Sequence, residues 1–359
     1  MKDQNDFSVI FAIPNMCGGG AERVISLLAN EFARRDIDTK IMMIAGNNCV
    51  YKLDSRIELT QVGERSGGSF IKRIERIKSI RRYLKGRQNS VIISFEPDCS
   101  FFIEAADIGL NIPIISSERN DPSSFGNDKT RKIAYDHSDL IVFQTYDAKN
   151  YFSQRIQKKG CIIENPINTS LPKRYEGIRK KNIVSVGRLE PQKNQKLLLN
   201  AFSVFSGKFP EYTLELYGKG SMEAELKEFA ENLGISDKVV FKGFYSDVTD
   251  RIIDAGMYVL SSDYEGISNS LLEALAVGLP VIATDCPCGG TGMCIQNGMN
   301  GILVPVKDED LLVMAMTELA ERPEKAAELG RNASKIREIF SVEVIADKWV
   351  DAIKEVRDR

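Results

Sequence analysis

Phe7-Ser-Val-Ile-Phe-Ala-Ile13, Pro14-Asn-Met-Cys-Gly-Gly-Gly20 and a helical pattern over 21–35 follow one another near the start of the chain. The first run is short and apolar, as in a strand buried on both faces of a parallel sheet. The helical pattern is carried by Val24, Leu27, Leu28, Glu31 and Phe32. A strand, a glycine loop and a helix make one βα unit. Similar apolar runs recur at 40–45, 91–95, 112–116 and 140–144, with helical or loop stretches between them. Such alternation predicts a parallel, doubly wound sheet.

A break follows. Residues 169–182 are polar and basic, with Pro172 and Gly177, and read as a linker. The alternation then restarts, with strands expected at 183–186, 213–217, 238–241, 257–260, 281–284 and 301–304. Helices are expected at 194–205, 222–233, 270–277 and 309–320, and a last one at 342–356. The pattern predicts an N-terminal domain over 1–168, a linker over 169–182, a second domain over 183–341 and a terminal helix within 342–359.

The composition is that of a soluble globular protein: 359 residues, 43% hydrophobic and 27% charged. That length suits two domains better than one core. A net charge of -2 gives no global attraction to nucleic acid. No apolar run approaches the roughly 18 residues a membrane span needs. The start of the chain, with Asp3 and Asp6 before a brief apolar stretch, reads as a first strand and not as a signal peptide. Seven cysteines and one histidine do not form a zinc pattern. Cys286, Cys288 and Cys294 cluster without paired CxxC spacing, and His137 is remote from them. Buried or idle thiols in a reducing cytosol are expected, and Ser-His-Asp chemistry is hard to build.

Three segments carry chemistry. In Val186-Gly-Arg-Leu-Glu-Pro-Gln-Lys-Asn194 the chain turns at Gly187 where a strand ends, and two cations, Arg188 and Lys193, follow. A guanidinium and an ammonium at a strand's carboxyl end suit a diphosphate; a solvated loop with ordinary cations is the competing reading. In Leu216-Tyr-Gly-Lys-Gly-Ser-Met-Glu223, Gly218 and Gly220 let the backbone approach a flat ligand such as a base, or simply make a tight turn. The segment 261–280 holds Glu265 and Glu273, seven residues apart. Glu265 falls in a loop after a strand, and a helix begins near Asn269. Backbone N–H groups of its first turn favour a phosphate. Glu273, one turn in and flanked by Leu271, Leu272, Ala274 and Leu275, can accept hydrogen bonds from the vicinal hydroxyls of a ribose.

Taken together and in this order, the Gly18-Gly-Gly-Ala-Glu-Arg23 loop, Gly187-Arg-Leu with Lys193, the Gly218-x-Gly220 turn and the Glu265/Glu273 pair resemble a retaining family-4 glycosyltransferase along nearly the full length. The resemblance implies an α/β GT-B fold, two facing Rossmann-like doubly wound domains with an interdomain cleft. It implies transfer of a sugar from a nucleotide-diphosphate sugar, a UDP-sugar by expectation, to a saccharide or lipid-linked saccharide acceptor in cell-surface polysaccharide synthesis. Glu265, Arg188 and Lys193 would be catalytic. Glu273, Gly218, Gly220, Gly266, Ile267, Ser268 and Asn269 would bind the donor, and Gly18, Gly19, Gly20 and Arg119 would serve the diphosphate or the acceptor. No metal and no cofactor are implied. Two departures stand out: Arg119 occupies the place where many relatives carry histidine, and Met293 the place of a frequent glutamate.

The stretch 70–87 sets Ile74, Ile77, Tyr83 and Leu84 among eight cations, with Glu75 its lone acid. Such a helix suits an anionic membrane surface or a plain core helix with a basic outer face. The resemblance therefore implies a cytoplasmic protein, peripheral on the inner membrane face, with no nucleic-acid partner. The rival readings are a catalytically silent GT-B subunit bound to a partner and a GT-B nucleotide-sugar epimerase.

Overall fold

The computed structural model describes residues 7–62, 70–124, 126 and 128–359; Asp3 and Asp6 lie outside them, as do the side chains of Phe70 and Ile71. The chain divides into two compact units. The first comprises the residues up to Pro166 together with Val342–Arg359, and the second is Ile167–Ser341.

The first unit is built on seven parallel strands: β1 (Ser8–Ile13), β2 (Asp38–Met43), β3 (Glu58–Gln61), β4 (Ser90–Phe95), β5 (Ile114–Ser117), β6 (Leu140–Phe143) and β7 (Gly160–Ile162). Their order is β3-β2-β1-β4-β5-β6-β7, so the direction of winding reverses between β1 and β4. Central strands are apolar on both faces because helices cover both sides. On one side Ile10, Ile92 and Ile114 pack with Phe102, Ile103, Ile80 and Leu84. Elsewhere in this core Phe11 stacks on Phe32, Phe95 meets Phe11 edge-on, and Trp349 stacks on Phe95 with ring centroids 5.9 Å apart.

Trp349 comes from the terminal helix Val342–Arg357, which Arg35 holds through Asp347 and the Glu343 carbonyl, and Lys348 through Glu164.

The second unit carries six parallel strands: β8 (Asn182–Val186), β9 (Thr213–Tyr217), β10 (Val239–Gly243), β11 (Met257–Leu260), β12 (Val281–Asp285) and β13 (Ile302–Pro305), in the order β10-β9-β8-β11-β12-β13. The reversal here lies between β8 and β11. Leu198, Phe202, Phe205, Leu214, Leu216 and Met316 are buried in its core. Residues 169–182 are held against this unit: Arg179 donates to the carbonyls of Ile253, Ala255 and Gly278. Burial brings its guanidinium down to about 10.

The basic helix, Phe70–Leu84, differs from its expected face. Ile77, Ile80, Tyr83 and Leu84 join the core of the first unit, whereas Ile74 is 37% exposed. Two of its arginines are also occupied. Arg76 lies over the Phe102 ring at 4.8 Å, and Arg81 donates to the carbonyls of Ala106 and Ile108.

Candidate functional site

In open α/β sheets ligands bind outside the carboxyl ends of strands, beside the reversal of winding. In the second unit that position belongs to the segments after β8 and β11. Past β8 the chain passes Gly187 and Arg188 and makes a 3-10 turn, Pro191–Lys193. Asn194, at φ +43, ends the turn, and its side chain caps the helix Gln195–Lys208 by accepting from the Leu197 N–H. Asparagine tolerates that left-handed conformation better than most residues.

The two segments are laced together. Asn194 Nδ2 donates to Asp263 Oδ1 at 2.8 Å, the Asp263 N–H to the Gln192 carbonyl at 2.9 Å, and Ser261 Oγ to the Lys193 carbonyl at 3.0 Å. This places Lys193 Nζ in a hydrogen-bonded ion pair with Glu265 Oε1, the side chains being 13% and 8% exposed. Ser262 Oγ donates to the same oxygen at 2.7 Å. Gln192 Nε2 donates to the Tyr264 carbonyl at 2.9 Å and reaches Glu265 Oε2 at 3.4 Å. Arg188 stays exposed; its guanidinium makes one long contact among the described residues, to Gln192 Oε1 at 3.5 Å. Lys193 is therefore paired with a carboxylate at this edge, and Arg188 is the more open of the two cations.

The helix Asn269–Ala276 begins on Ser268, whose hydroxyl accepts from the Leu271 N–H. Ser270 Oγ donates to the Val186 carbonyl at 2.9 Å, which seats the first turn beside the end of β8. The loop before it is fixed by the glycine turn after β12: a Cβ on Gly290 would fall 1.8 Å from the Gly266 carbonyl oxygen. Ile267 is buried in this loop. Glu273 is 6% exposed, and Thr249 Oγ1 donates to its Oε2 at 3.1 Å. Burial pushes the neighbouring Cys286 thiol up to about 12, so it is no nucleophile at neutral pH.

Gly218 and Gly220 are glycines for a reason the sequence did not suggest. A Cβ on Gly218, at φ +142, would lie 1.9 Å from the Gly187 carbonyl oxygen, and one on Gly220 2.1 Å from that of Leu189. The turn is pressed against the chain's own Gly187–Leu189 backbone, which it braces through hydrogen bonds from Gly187 to Tyr217 and from Leu189 to Lys219.

The remaining expected residues lie in the first unit, at the carboxyl edge of its sheet. Gly18 has φ +113, Gly19 precedes the helix Gly20–Arg34 as its N-cap, and Tyr51 donates to the Gly19 carbonyl at 2.9 Å. Arg119 follows β5, two strands away. Sequence reasoning missed Gln192 and Ser262, which lie inside the segments singled out above, and Thr249, which lies outside them. His137 is exposed. Among the described residues no group of three His, Cys, Asp or Glu side chains is placed to hold a metal ion, and no helix is long and apolar enough to cross a membrane.

Residues 172–336 match the family model described as glycosyl transferases group 1. An uncharacterized glycosyltransferase of Haemophilus influenzae is 28% identical over 92% of this chain and 95% of its own length. An alpha-1,4-N-acetyl-D-galactosaminyltransferase of Campylobacter jejuni, named for a PP-undecaprenol-linked saccharide, is 27% identical over 98% of this chain and 99% of its own. Among solved structures, Anabaena HepE in complex with UDP and glucose superposes with a TM-score of 0.83 at 18% identity, over 97% of this chain and 99% of that one.

Proposed function

We propose that this chain, which shares the fold of HepE, is a glycosyltransferase that transfers a sugar from a UDP-sugar, with retention of anomeric configuration and without a metal. The acceptor is a saccharide or a lipid-linked saccharide, and the product belongs to cell-surface polysaccharide. The observation that carries this reading is the Lys193–Glu265 pair beside exposed Arg188 and buried Glu273 at one carboxyl edge. When the bond to the anomeric carbon breaks, negative charge accumulates on the departing diphosphate. Arg188, Lys193 and the first turn of the helix Asn269–Ala276 stabilise that charge in place. Glu273 accepts from the ribose hydroxyls, and Glu265 faces the transferred sugar. The complexes of HepE with UDP and with UDP-glucose support the choice of base.

The test is stabilisation of the folded chain by nucleotide. UDP at 100 times its Kd is expected to add about 2.7 kcal/mol, read as a rise in Tm, and ADP and GDP to add less. Arg188→Ala is expected to remove most of the UDP effect while leaving the ligand-free Tm unchanged, since the side chain is exposed. Equal stabilisation by all three nucleotides would reject the uridine assignment. An undiminished UDP effect in the variant would remove Arg188 from the site.

The PP-undecaprenol saccharide in the name of the Campylobacter jejuni relative supports a lipid-linked acceptor, and with it peripheral binding at the cytoplasmic membrane face. Arg73, Lys78, Arg82 and Lys85 are exposed on or just beyond the basic helix. Each cation near an anionic surface contributes about 1 kcal/mol. The chain is expected to sediment with anionic vesicles at low salt and to be released at high salt. Replacing these four by Gln is expected to abolish binding with little change in Tm, because Arg76 and Arg81, which pack on the unit, are left intact. Binding that ignores salt would reject the electrostatic surface.

A further inference from the structure

In the first unit, adjacent strands β4, β5, β6 and β7 deliver side chains that meet at their carboxyl ends. Phe95 closes β4, Arg119 follows β5, Gln144 follows β6 and Asn165 follows β7. The Arg119 guanidinium lies over the Phe95 ring, 5.0 Å from its centroid. Its Nη1 donates to Ser117 Oγ at 3.3 Å and its Nη2 to Asn165 Oδ1. Gln144 Nε2 donates to that same oxygen at 2.6 Å, and both amides are buried.

Three arginines that leave water, Arg131, Arg179 and Arg337, are satisfied in one of two ways. Arg131 has the Glu118 carboxylate, 3.5 Å away. Arg179 and Arg337 each place their donors on three main-chain carbonyls. Arg119 has neither. It is half-buried, its two hydrogen bonds go to neutral side chains, and its Nε–H makes none among the described residues. The nearby Glu118 carboxylate is taken by Arg131 and Tyr135. Burial brings the Arg119 guanidinium down to about 9, with only Glu118 opposing the shift. Placing a cation here with neutral partners costs stability, and a site meant for hydroxyl groups has no use for the charge. A guanidinium fork instead matches two oxygens of one carboxylate or phosphate.

We propose that Arg119, oriented by Ser117, Asn165 and Gln144 and backed by Phe95, binds an oxyanion, a carboxylate or a phosphate, carried by one of the two reactants. The inference rests on the glycosyl-transfer reading and narrows it: one of the two reactants bears a carboxylate or a phosphate besides the diphosphate of the donor.

Calorimetric titration of the full chain with glucuronate, glucose phosphate and glucose tests it without depending on UDP. At least one of the two charged probes is expected to bind about tenfold tighter than glucose. Arg119→Gln is expected to erase that preference, and Arg119→Lys to retain part of it. No preference in the native protein, or a preference that survives in folded Arg119→Gln, overturns the proposal. Should the Gln variant not fold, the native comparison and the Lys variant still decide. Kinetics then separate the sources. If Arg119→Lys raises KM for UDP-glucuronate but not for UDP-glucose, the anion belongs to the donor. If it raises KM for a diphosphate-linked saccharide but not for the free saccharide, the anion belongs to the acceptor. Failure of any UDP-sugar to react would reject the transfer reading while leaving the probe result standing.

Discussion

Lys193→Ala is expected to lower kcat/KM by at least about 100-fold and to destabilise the fold by about 3 kcal/mol. The two losses have different origins. The first removes a cation from the place where, in the proposed reaction, the diphosphate gains charge. The second strands a nearly buried carboxylate: Glu265 keeps the Ser262 hydroxyl and the Gln192 amide but loses its counter-ion. Adding Glu265→Gln separates them, because a neutral amide at that position no longer needs the cation while the hydroxyl of Ser262 can still bond to it. The double variant is expected to recover most of the lost Tm and none of the lost activity, a coupling that appears only between residues in contact. Stability unaffected by Lys193→Ala would mean that the pair is not held in solution. Near-normal kcat/KM would exclude Lys193 from the chemistry.

The two glutamates are expected to fail differently. A ribose does not react, so the interaction with Glu273 proposed above would be similar in the ground and transition states, and Glu273→Gln is expected to raise donor KM about tenfold with a smaller change in kcat. Thr249→Val removes the hydroxyl that donates to Glu273 Oε2, and is expected to weaken UDP binding in the same direction by a few-fold, with a stability cost of about 1 kcal/mol. The transferred sugar develops positive charge, so Glu265→Gln is expected to reduce kcat by about 100-fold or more and leave UDP affinity near normal. Calorimetry with UDP on the three variants decides the matter. A Glu265 variant that loses UDP affinity as much as the Glu273 variant would reverse or merge the assigned roles.

How much of this was legible in the sequence follows from how local each signal is. Central strands such as β1 and β4 announce themselves because both faces are covered, which leaves an uninterrupted apolar run. The edge strands β3 and β7 do not: Glu58-Leu-Thr-Gln61 is largely exposed and Gly160-Cys-Ile162 is only three residues long. The helix Asn269–Ala276 was readable from its apolar residues. The basic helix was misread by one residue of its inner face, because Ile74 and Ile80 look equivalent until Phe102 and Ile103 are in place to cover only the second. Arg188, Lys193 and Glu265 stand out as polar residues past the ends of strands, and Glu273 as an acid among apolar helix residues. Their partners do not. Gln192, Thr249, Gln144 and Asn165 matter through contacts made after long detours of the chain; Asn165 meets Arg119 across 46 positions, and no spacing encodes that. Gly218 and Gly220 were visible, but their cause, the approach of residues 187–189, is a tertiary fact.

Trp349 is the single tryptophan of the chain, and it sits fully buried on Phe95 in a helix synthesised after the whole of the second unit. Its fluorescence therefore reports on the first unit alone, whereas far-ultraviolet dichroism reports on both. Superimposable denaturation curves from the two signals would show the units melting as one cooperative body, and separated curves would resolve their individual stabilities. The same placement sets an order of events on the ribosome. The second unit has all of its strands before residue 342 emerges, while the first must wait, with Phe95 uncovered, for the last stretch of chain to arrive.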